Sequence, residues 1–339
     1  MSLAKPVAMR KWARRTLILG LGIPAATLAF VALEARISEA LFFARDPGVP
    51  EIIEWFMERH DIPGAALAIG PAGGKPALHA FGVSEGRGPI DGDAVLPLAS
   101  LSKPITAAAI LKLTEQGVLS LDDRLVEIVP EVNAATDGRY ADITIRNLLN
   151  HDSGLAPMAN PVAAFGEAAL DEPSSCTPLA MAMLSVPLDS DPGENQSYSN
   201  LGYCWLGVVV ERASGRPYAE FVAASVSPQF TMIDPFLGPF GGWASNVADY
   251  HQFASDVPAN VAERPESASD GADYYGLGWH HYPDEPGAPA SHFGTWPGVF
   301  SLALRTDEMV AVALFNKQPH NPTASADWLR RALSEASVQ

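Results

Sequence analysis

The apolar residues of this chain change their period in a fixed order, and that order restricts the fold more than any single motif does. From Ile52 to His60, Ile53, Phe56 and Met57 recur at helical spacing, and Pro63-Gly64 stops the helix. Ala65 to Ile69 and Lys75 to Val83 then read as two strands turned by Pro71-Ala72-Gly73-Gly74. From Pro104 to Glu115 the spacing of Ile105, Ala108, Ala109 and Leu113 predicts a helix that Gly117 ends. Helical patterns continue around Arg146–Asn150, Leu179–Leu184, Leu201–Ala213, Tyr218–Ala224 and Val247–Ala254. Strand-like runs return at Val299–Arg305 and Met309–Asn316, joined by Thr306-Asp307-Glu308, before a last helix at Ala324–Ala336. Strands near both ends with helices between them predict an α+β body, in which one sheet takes strands from both ends and a helical lobe is inserted.

Charge separates the first residues from the rest. The 339 residues carry 22 bases and 39 acids, a formal charge of −17. Lys5, Arg10, Lys11, Arg14 and Arg15 all precede the first acid, so the remainder is about −22 and repels nucleic acid. An uncharged, mostly apolar run follows from Thr16 to Leu33, 18 residues long, at the lower limit for spanning a bilayer. Basic flank, apolar run and the small-x-small sequence Ser38-Glu39-Ala40 make residues 1–40 a cleaved signal peptide or a membrane anchor, with a faint twin-arginine resemblance at Arg14-Arg15. Either reading exports the body, to the periplasm or the outer face of the cytoplasmic membrane. Membrane contact is then expected only through this segment, if it is retained. Export would permit oxidation of Cys176 and Cys204, although two cysteines in a chain of this length are more often unpaired small hydrophobes.

Three short motifs carry the chemistry. Ser100-Leu101-Ser102-Lys103 sets a hydroxyl three residues before an amine, just ahead of the helix that Pro104 opens, so the two side chains share a helix face. A serine becomes a nucleophile when a neighbour takes its proton, and a lysine can do so once burial or positive potential lowers its pKa. The helix N-terminus would also favour a developing oxyanion. Tyr198-Ser199-Asn200 precedes the helical run at Leu201, and His292-Phe293-Gly294-Thr295 lies in the strand region before Val299.

With these motifs, Ile143 to Leu155, Pro192-Gly193-Glu194, Gly241 to Ser245 and Tyr275 to Trp279, the sequence resembles the serine β-lactamase and penicillin-binding superfamily. The resemblance is to its branch of class C β-lactamases, serine DD-peptidases and β-lactamase-like esterases, and runs from about Glu51 to Ala332. It implies an antiparallel sheet flanked by N- and C-terminal helices and an all-helical insert. The catalytic domain would be 41–339, with a sheet lobe at about 45–98 and 240–339 and a helical lobe at about 99–239. Carried over by position, Ser100 would be acylated and Lys103 would accept or relay its proton. Tyr198 would pass the proton to the leaving group and help activate the deacylating water. Asn200, His292, Gly294 and Thr295 would bind substrate, with the backbone N–H groups of Ser100 and Thr295 as the oxyanion hole. The resemblance implies a serine hydrolase with no metal or cofactor, acting on a small ester, amide or peptide. A class C-like β-lactamase or DD-carboxypeptidase is the alternative, and a slow-acylating penicillin-binding or sensor protein is the reading of another class.

Two departures from the family pattern bear on substrate. Phe293 stands where many members carry a hydroxyl that binds a carboxylate, and His292, with an ordinary pKa near 6.5, is mostly neutral at pH 7. Both favour an uncharged acyl substrate. The short stretch Ile233–Gly241 further suggests an open cleft. Gly82-Val83-Ser84-Glu85-Gly86 fits a rival nucleophile elbow, but the glycines and Pro89 that follow forbid the helix such an elbow needs. His151 reads as a structural hydrogen-bonder. His280 and His281, on opposite faces if on a strand, do not read as paired metal ligands.

Overall fold

The computed structural model describes residues 33–336 apart from 35, 85, 87, 157–174 and 258. The basic and apolar segment through residue 32, read above as a signal or anchor, lies outside the described residues. Among those described, no helix is long and apolar enough to cross a membrane. The chain forms two compact units, Met1–Glu51 and Ile52–Gln339. The first contains helical residues 36–43. The second holds the sheet and the motifs.

Helix α1 (Val49–Arg59) buries Ile52, Ile53, Phe56 and Met57, the stripe its spacing foretells. Strands β1 (Gly64–Pro71) and β2 (Ala77–Ser84) follow as a hairpin, and two-residue strands β3 (Gly88–Pro89) and β4 (Leu96–Pro97) close this end of the chain. Later in the chain come β5 (Thr231–Met232), β6 (Trp243–Ser245), β7 (Tyr274–Gly276), β8 (Trp279–His281), β9 (Ala290–Trp296), β10 (Val299–Arg305), β11 (Met309–Phe315) and a last helix at Pro322–Ala336. The eight-stranded sheet runs β3-β2-β1-β11-β10-β9-β8-β7, with antiparallel pairing throughout. Its centre is the junction of the two chain ends, β1 with β11, in the register Ala65↔Phe315 to Pro71↔Met309. The periodicity gave no signal for β7 and β8, which are three residues each and too short to display an alternation.

Between the sheet halves lie the helices. Helix α2 (Ser102–Glu115) is buried on almost every side, including Ser102, Lys103 and Thr106. Burial of Ile105, Ile110 and Leu113, each at most 1% exposed, stabilises the fold by roughly 1.5–3 kcal/mol apiece. Its buried polar groups must then find partners. Ser102 Oγ accepts from Trp243 N (3.1 Å), and Thr106 Oγ1 lies 2.6 Å from both Tyr218 OH and Pro239 O. Short helices α3 (Leu125–Ile128), α4 (Ile145–Leu149) and α5 (Thr177–Ala182) lead to α6 (Asn200–Ser214), α7 (Tyr218–Ser225) and α8 (Val247–Ser255). Helix α6 starts where Ser199 Oγ accepts from Gly202 N and ends at Gly215, whose φ of 67° is the left-handed cap glycine supplies without strain. Cys176 and Cys204 form a disulfide with Cα atoms 5.8 Å apart, the oxidised alternative of the two that the sequence left open. The pairing depends on α5 packing against α6, a tertiary fact.

The rival elbow is absent as structure. Ser84 ends β2 and pairs with Gly88 of β3, so a strand follows it where a helix would be required.

Candidate active site

Ser100 lies in a 3-10 turn, Ala99–Leu101, that runs directly into α2. Ala99 has a φ of 46°, a left-handed conformation that a non-glycine residue holds only when its surroundings impose it. They do so here through Leu98, whose N–H donates to Trp243 O (2.9 Å) and whose carbonyl accepts from Leu101 N (3.1 Å) and Ser301 Oγ (2.7 Å). Strand β9 presses on the same turn at Gly294. A Cβ there would stand 2.3 Å from Leu98 O and 2.7 Å from Ser100 N, so only glycine lets the strand come this close. Gly294→Ala is therefore expected to destabilise the protein by about 1–3 kcal/mol and to displace Ser100. Denaturant unfolding and the rate of Ser100 labelling would check this, and an unaltered labelling rate would contradict it.

Lys103, on the first turn of α2, is fully buried. Its Nζ lies 2.7 Å from Asn200 Oδ1, 3.0 Å from Phe240 O and 3.3 Å from Ser100 Oγ. Burial holds its pKa well below the ordinary lysine value. In the neutral form that burial favours, the amine has two N–H bonds and one lone pair. The amide oxygen and the carbonyl can only accept, so they take both N–H groups, and the lone pair is left facing the Ser100 hydroxyl. Phe240 was not legible as part of a site, because the group used is its backbone carbonyl, which every residue possesses. The tight turn from Asp234 to Gly242 delivers it, with Leu237 O accepting from Phe240, Gly241 and Gly242.

Tyr198 stands just before α6, with Lys103 Nζ 4.7 Å from its ring centroid. Burial raises its pKa, so it remains a neutral phenol and a donor. His292 is buried on β9, and its ring lies 6.2 Å from that of Tyr198. Burial, then repulsion from Lys103, pushes its pKa down to about 3. It thus provides no cation at neutral pH. Its Nδ1 meets Phe293 O at 2.9 Å. Thr295 opposes Phe300 one step inside the Trp296↔Val299 pair that closes the β9–β10 hairpin, whereas β8 pairs with β9 only at Ala290 and Ser291. The alternation of an antiparallel ladder turns the Thr295 N–H toward the edge that β8 leaves uncovered. Ser100, Lys103, Tyr198, Asn200, His292 and Gly294 thus converge, and Thr295 is the next residue along the same strand.

His151 supports the site from behind. Its φ is 59°, its Nδ1 accepts from Ser199 N (3.1 Å), and its ring packs on Tyr198 at 4.4 Å. This fits the structural role expected of it. Trp279 and Tyr203 are core residues, and the Tyr203 hydroxyl donates to Leu149 O. Phe293 turns its ring toward Phe300, at 6.5 Å between centroids, on the sheet face opposite Gly294. No group of three or more His, Cys, Asp or Glu among the described residues is arranged to hold a metal ion.

Residues 49–268 match a family model described as Beta-lactamase. Penicillin-binding protein 4* of Bacillus subtilis (strain 168) is 33% identical over 181 residues, which cover 52% of this chain and 38% of that protein. The matched segment is thus well under half of that relative. The class C beta lactamase from Rhodobacter sphaeroides superposes with a TM-score of 0.66 at 17% identity, over 85% of this chain and 99% of that one. A D-stereospecific amidohydrolase from Streptomyces sp. gives a TM-score of 0.64 at 22% identity, over 80% and 94%. These two likenesses establish a shared fold. The family model, which matches most of the residues, shows that the chain belongs to the β-lactamase family.

Proposed function

We propose that the protein is a serine hydrolase that forms an acyl-enzyme on Ser100 with an uncharged ester or amide. The observation that carries this reading is the Lys103 amine, whose acceptor partners occupy its N–H groups and leave a lone pair for the Ser100 proton. As Ser100 Oγ bonds to the substrate carbonyl carbon, its proton passes to Lys103. The oxyanion is held by the N–H groups of Ser100 and Thr295. Tyr198 protonates the departing oxygen or nitrogen as the bond to the carbonyl carbon breaks, and Lys103 resupplies it. Water then cleaves the acyl-enzyme by the reverse transfers. The neutral His292 supports uncharged substrates, since no cation stands at the third motif to hold a carboxylate.

A second reading, peptide or β-lactam processing, is favoured by the similarity to Penicillin-binding protein 4*. A sensor that acylates without turnover uses the same residues. An exported body is supported by the Cys176–Cys204 disulfide, since such bonds persist in oxidising compartments.

Mixing the protein with a chromogenic ester should give a burst followed by steady turnover, and fluorophosphonate labelling followed by peptide mapping should place the adduct on Ser100. One equivalent of product with no further release would instead establish the sensor. Strong labelling by a fluorescent penicillin would favour the second reading, and an adduct elsewhere would overturn the mechanism.

A further inference from the structure

Tyr198 is held at both of its chain neighbours by one buried residue. His151 follows α4 with a φ of 59°, and both its carbonyl and its ring reach the segment ahead of α6. The carbonyl accepts from Ser197 N (2.6 Å), and Nδ1 accepts from Ser199 N (3.1 Å). Tyr198 therefore lies between two backbone N–H groups that are both tied to His151. The imidazole also packs on the Tyr198 ring, with centroids 4.4 Å apart and planes tilted by 33°. Two further rings fix the imidazole itself, Tyr203 at 5.0 Å and Tyr275 at 4.9 Å, the latter edge to face at 80°.

These contacts set the tautomer. A backbone N–H only donates, so Nδ1 presents its lone pair and Nε2 carries the hydrogen. That Nε2–H is buried and has no hydrogen-bond partner among the described residues, so among them the Ser199 contact is the one that aims the ring. The other bonds between the two segments do not need an imidazole. Asp152 O accepts from Gly193 N (2.7 Å), Asn150 O accepts from Gln196 Nε2 (2.9 Å), and the bond from Ser197 uses the main chain of residue 151. The two loops are thus joined without the histidine ring, and what the ring adds falls on Tyr198.

We propose that the His151 side chain is a positioning residue for Tyr198, fixing the phenol where it can protonate the leaving group. This rests on the serine-hydrolase reading, in which Tyr198 is the acid of acylation. A free tyrosine ring turns about two side-chain bonds. Packed on the imidazole, with the next backbone N–H anchored to that same imidazole, Tyr198 loses this freedom before substrate binds, so the ordering is not left to the reaction. The benefit goes to departing groups that need a proton in order to leave. The substrate class it serves is an ester of an aliphatic alcohol, or an amide, rather than an activated aryl ester.

The test compares an ethyl ester with the p-nitrophenyl ester of the same acid, in wild type, His151→Ala and His151→Asn. Ethoxide needs a proton to depart and p-nitrophenolate does not, so the pair of kcat/KM values reads the acid step. His151→Ala removes both ring and acceptor, and should lower kcat/KM about 10²-fold for the ethyl ester but only about threefold for the nitrophenyl ester. Asparagine tolerates the left-handed backbone and places Oδ1 where the imidazole has Nδ1, so His151→Asn should keep the Ser199 bond, lose the ring contact and fall between. Equal losses on the two esters, or none, would overturn the positioning role and leave the hydrolase reading intact. Nitrogen NMR of wild type should show the His151 hydrogen on Nε2, and the Tyr198 ring signals, identified with Tyr198→Phe, should shift in His151→Asn. A hydrogen on Nδ1, or unmoved Tyr198 signals, would overturn the proposal whatever the turnover. Turnover of neither ester by wild type, with both NMR results as expected, would overturn the hydrolase reading and keep the positioning. Melting curves would show which variants fold, and were neither to fold, the wild-type tautomer would decide.

Discussion

Ser100→Ala is expected to form no covalent adduct, and Lys103→Met to slow acylation by about 10²–10⁴-fold while the protein still folds. Methionine matches the lysine stem in length and adds no charge. It strands two acceptors, Asn200 Oδ1 and Phe240 O, at about 1–3 kcal/mol each if neither finds a new donor. Part of that loss is offset, because burial disfavours the charged form of Lys103. Arginine is no substitute, since a guanidinium stays charged and has no lone pair for a serine proton. A pH profile separates chemistry from structure. Wild-type acylation should rise with pH through the depressed pKa of Lys103, and Lys103→Met should lack that limb. An undiminished burst in Lys103→Met would remove the lysine from the mechanism.

Mild acid is expected to destabilise the fold substantially. His292 and His281 are buried, at 3% and 5% exposure, and burial pushes their pKa values down to about 3 and about 4. Unfolded, each binds a proton near pH 6.5, so below that value the unfolded chain holds more protons and stability falls with pH. Their neutral burial is therefore without acid penalty above pH 6.5 and increasingly costly below it, down to the folded values of about 3 and 4. At pH 5 each contributes a loss of about 2 kcal/mol, or about 4 kcal/mol together, and His151, depressed by the same burial, acts in the same sense. Urea unfolding at pH 7 and pH 5 would measure the difference. His292→Asn, which keeps a polar side chain but cannot take up a proton, should remove about 2 kcal/mol of it. Equal midpoints at the two pH values would show that these histidines are not held neutral.

Much of the site was legible because its side chains come from residue types with few alternative uses in such contexts. A serine three before a lysine at a helix start, and a tyrosine two before an asparagine at another, each place two groups on one local element. The distances within such a pair follow from helix geometry. What Lys103 does depends on Phe240 O and Asn200 Oδ1, which come from 137 and 97 residues away. No local pattern encodes the identity of those partners. The ion-pair cluster around Arg330 was equally hidden. Asp284 and Glu285 read as a solvated acidic pair between prolines, yet Glu285 pairs with the buried Arg330 of the last helix.

The sequence by itself determined the α+β order, a sheet fed from both chain ends and the three motifs, since periodicity and turn chemistry act over a few residues. Tertiary structure alone decided the disulfide, the left-handed backbone at Ala99 and the depressed pKa values of Lys103 and His292. All of these depend on which distant segments exclude water from a group or press against it. Desolvation and close packing are properties of the assembled fold, and the pKa of Lys103 falls only where distant segments bury it.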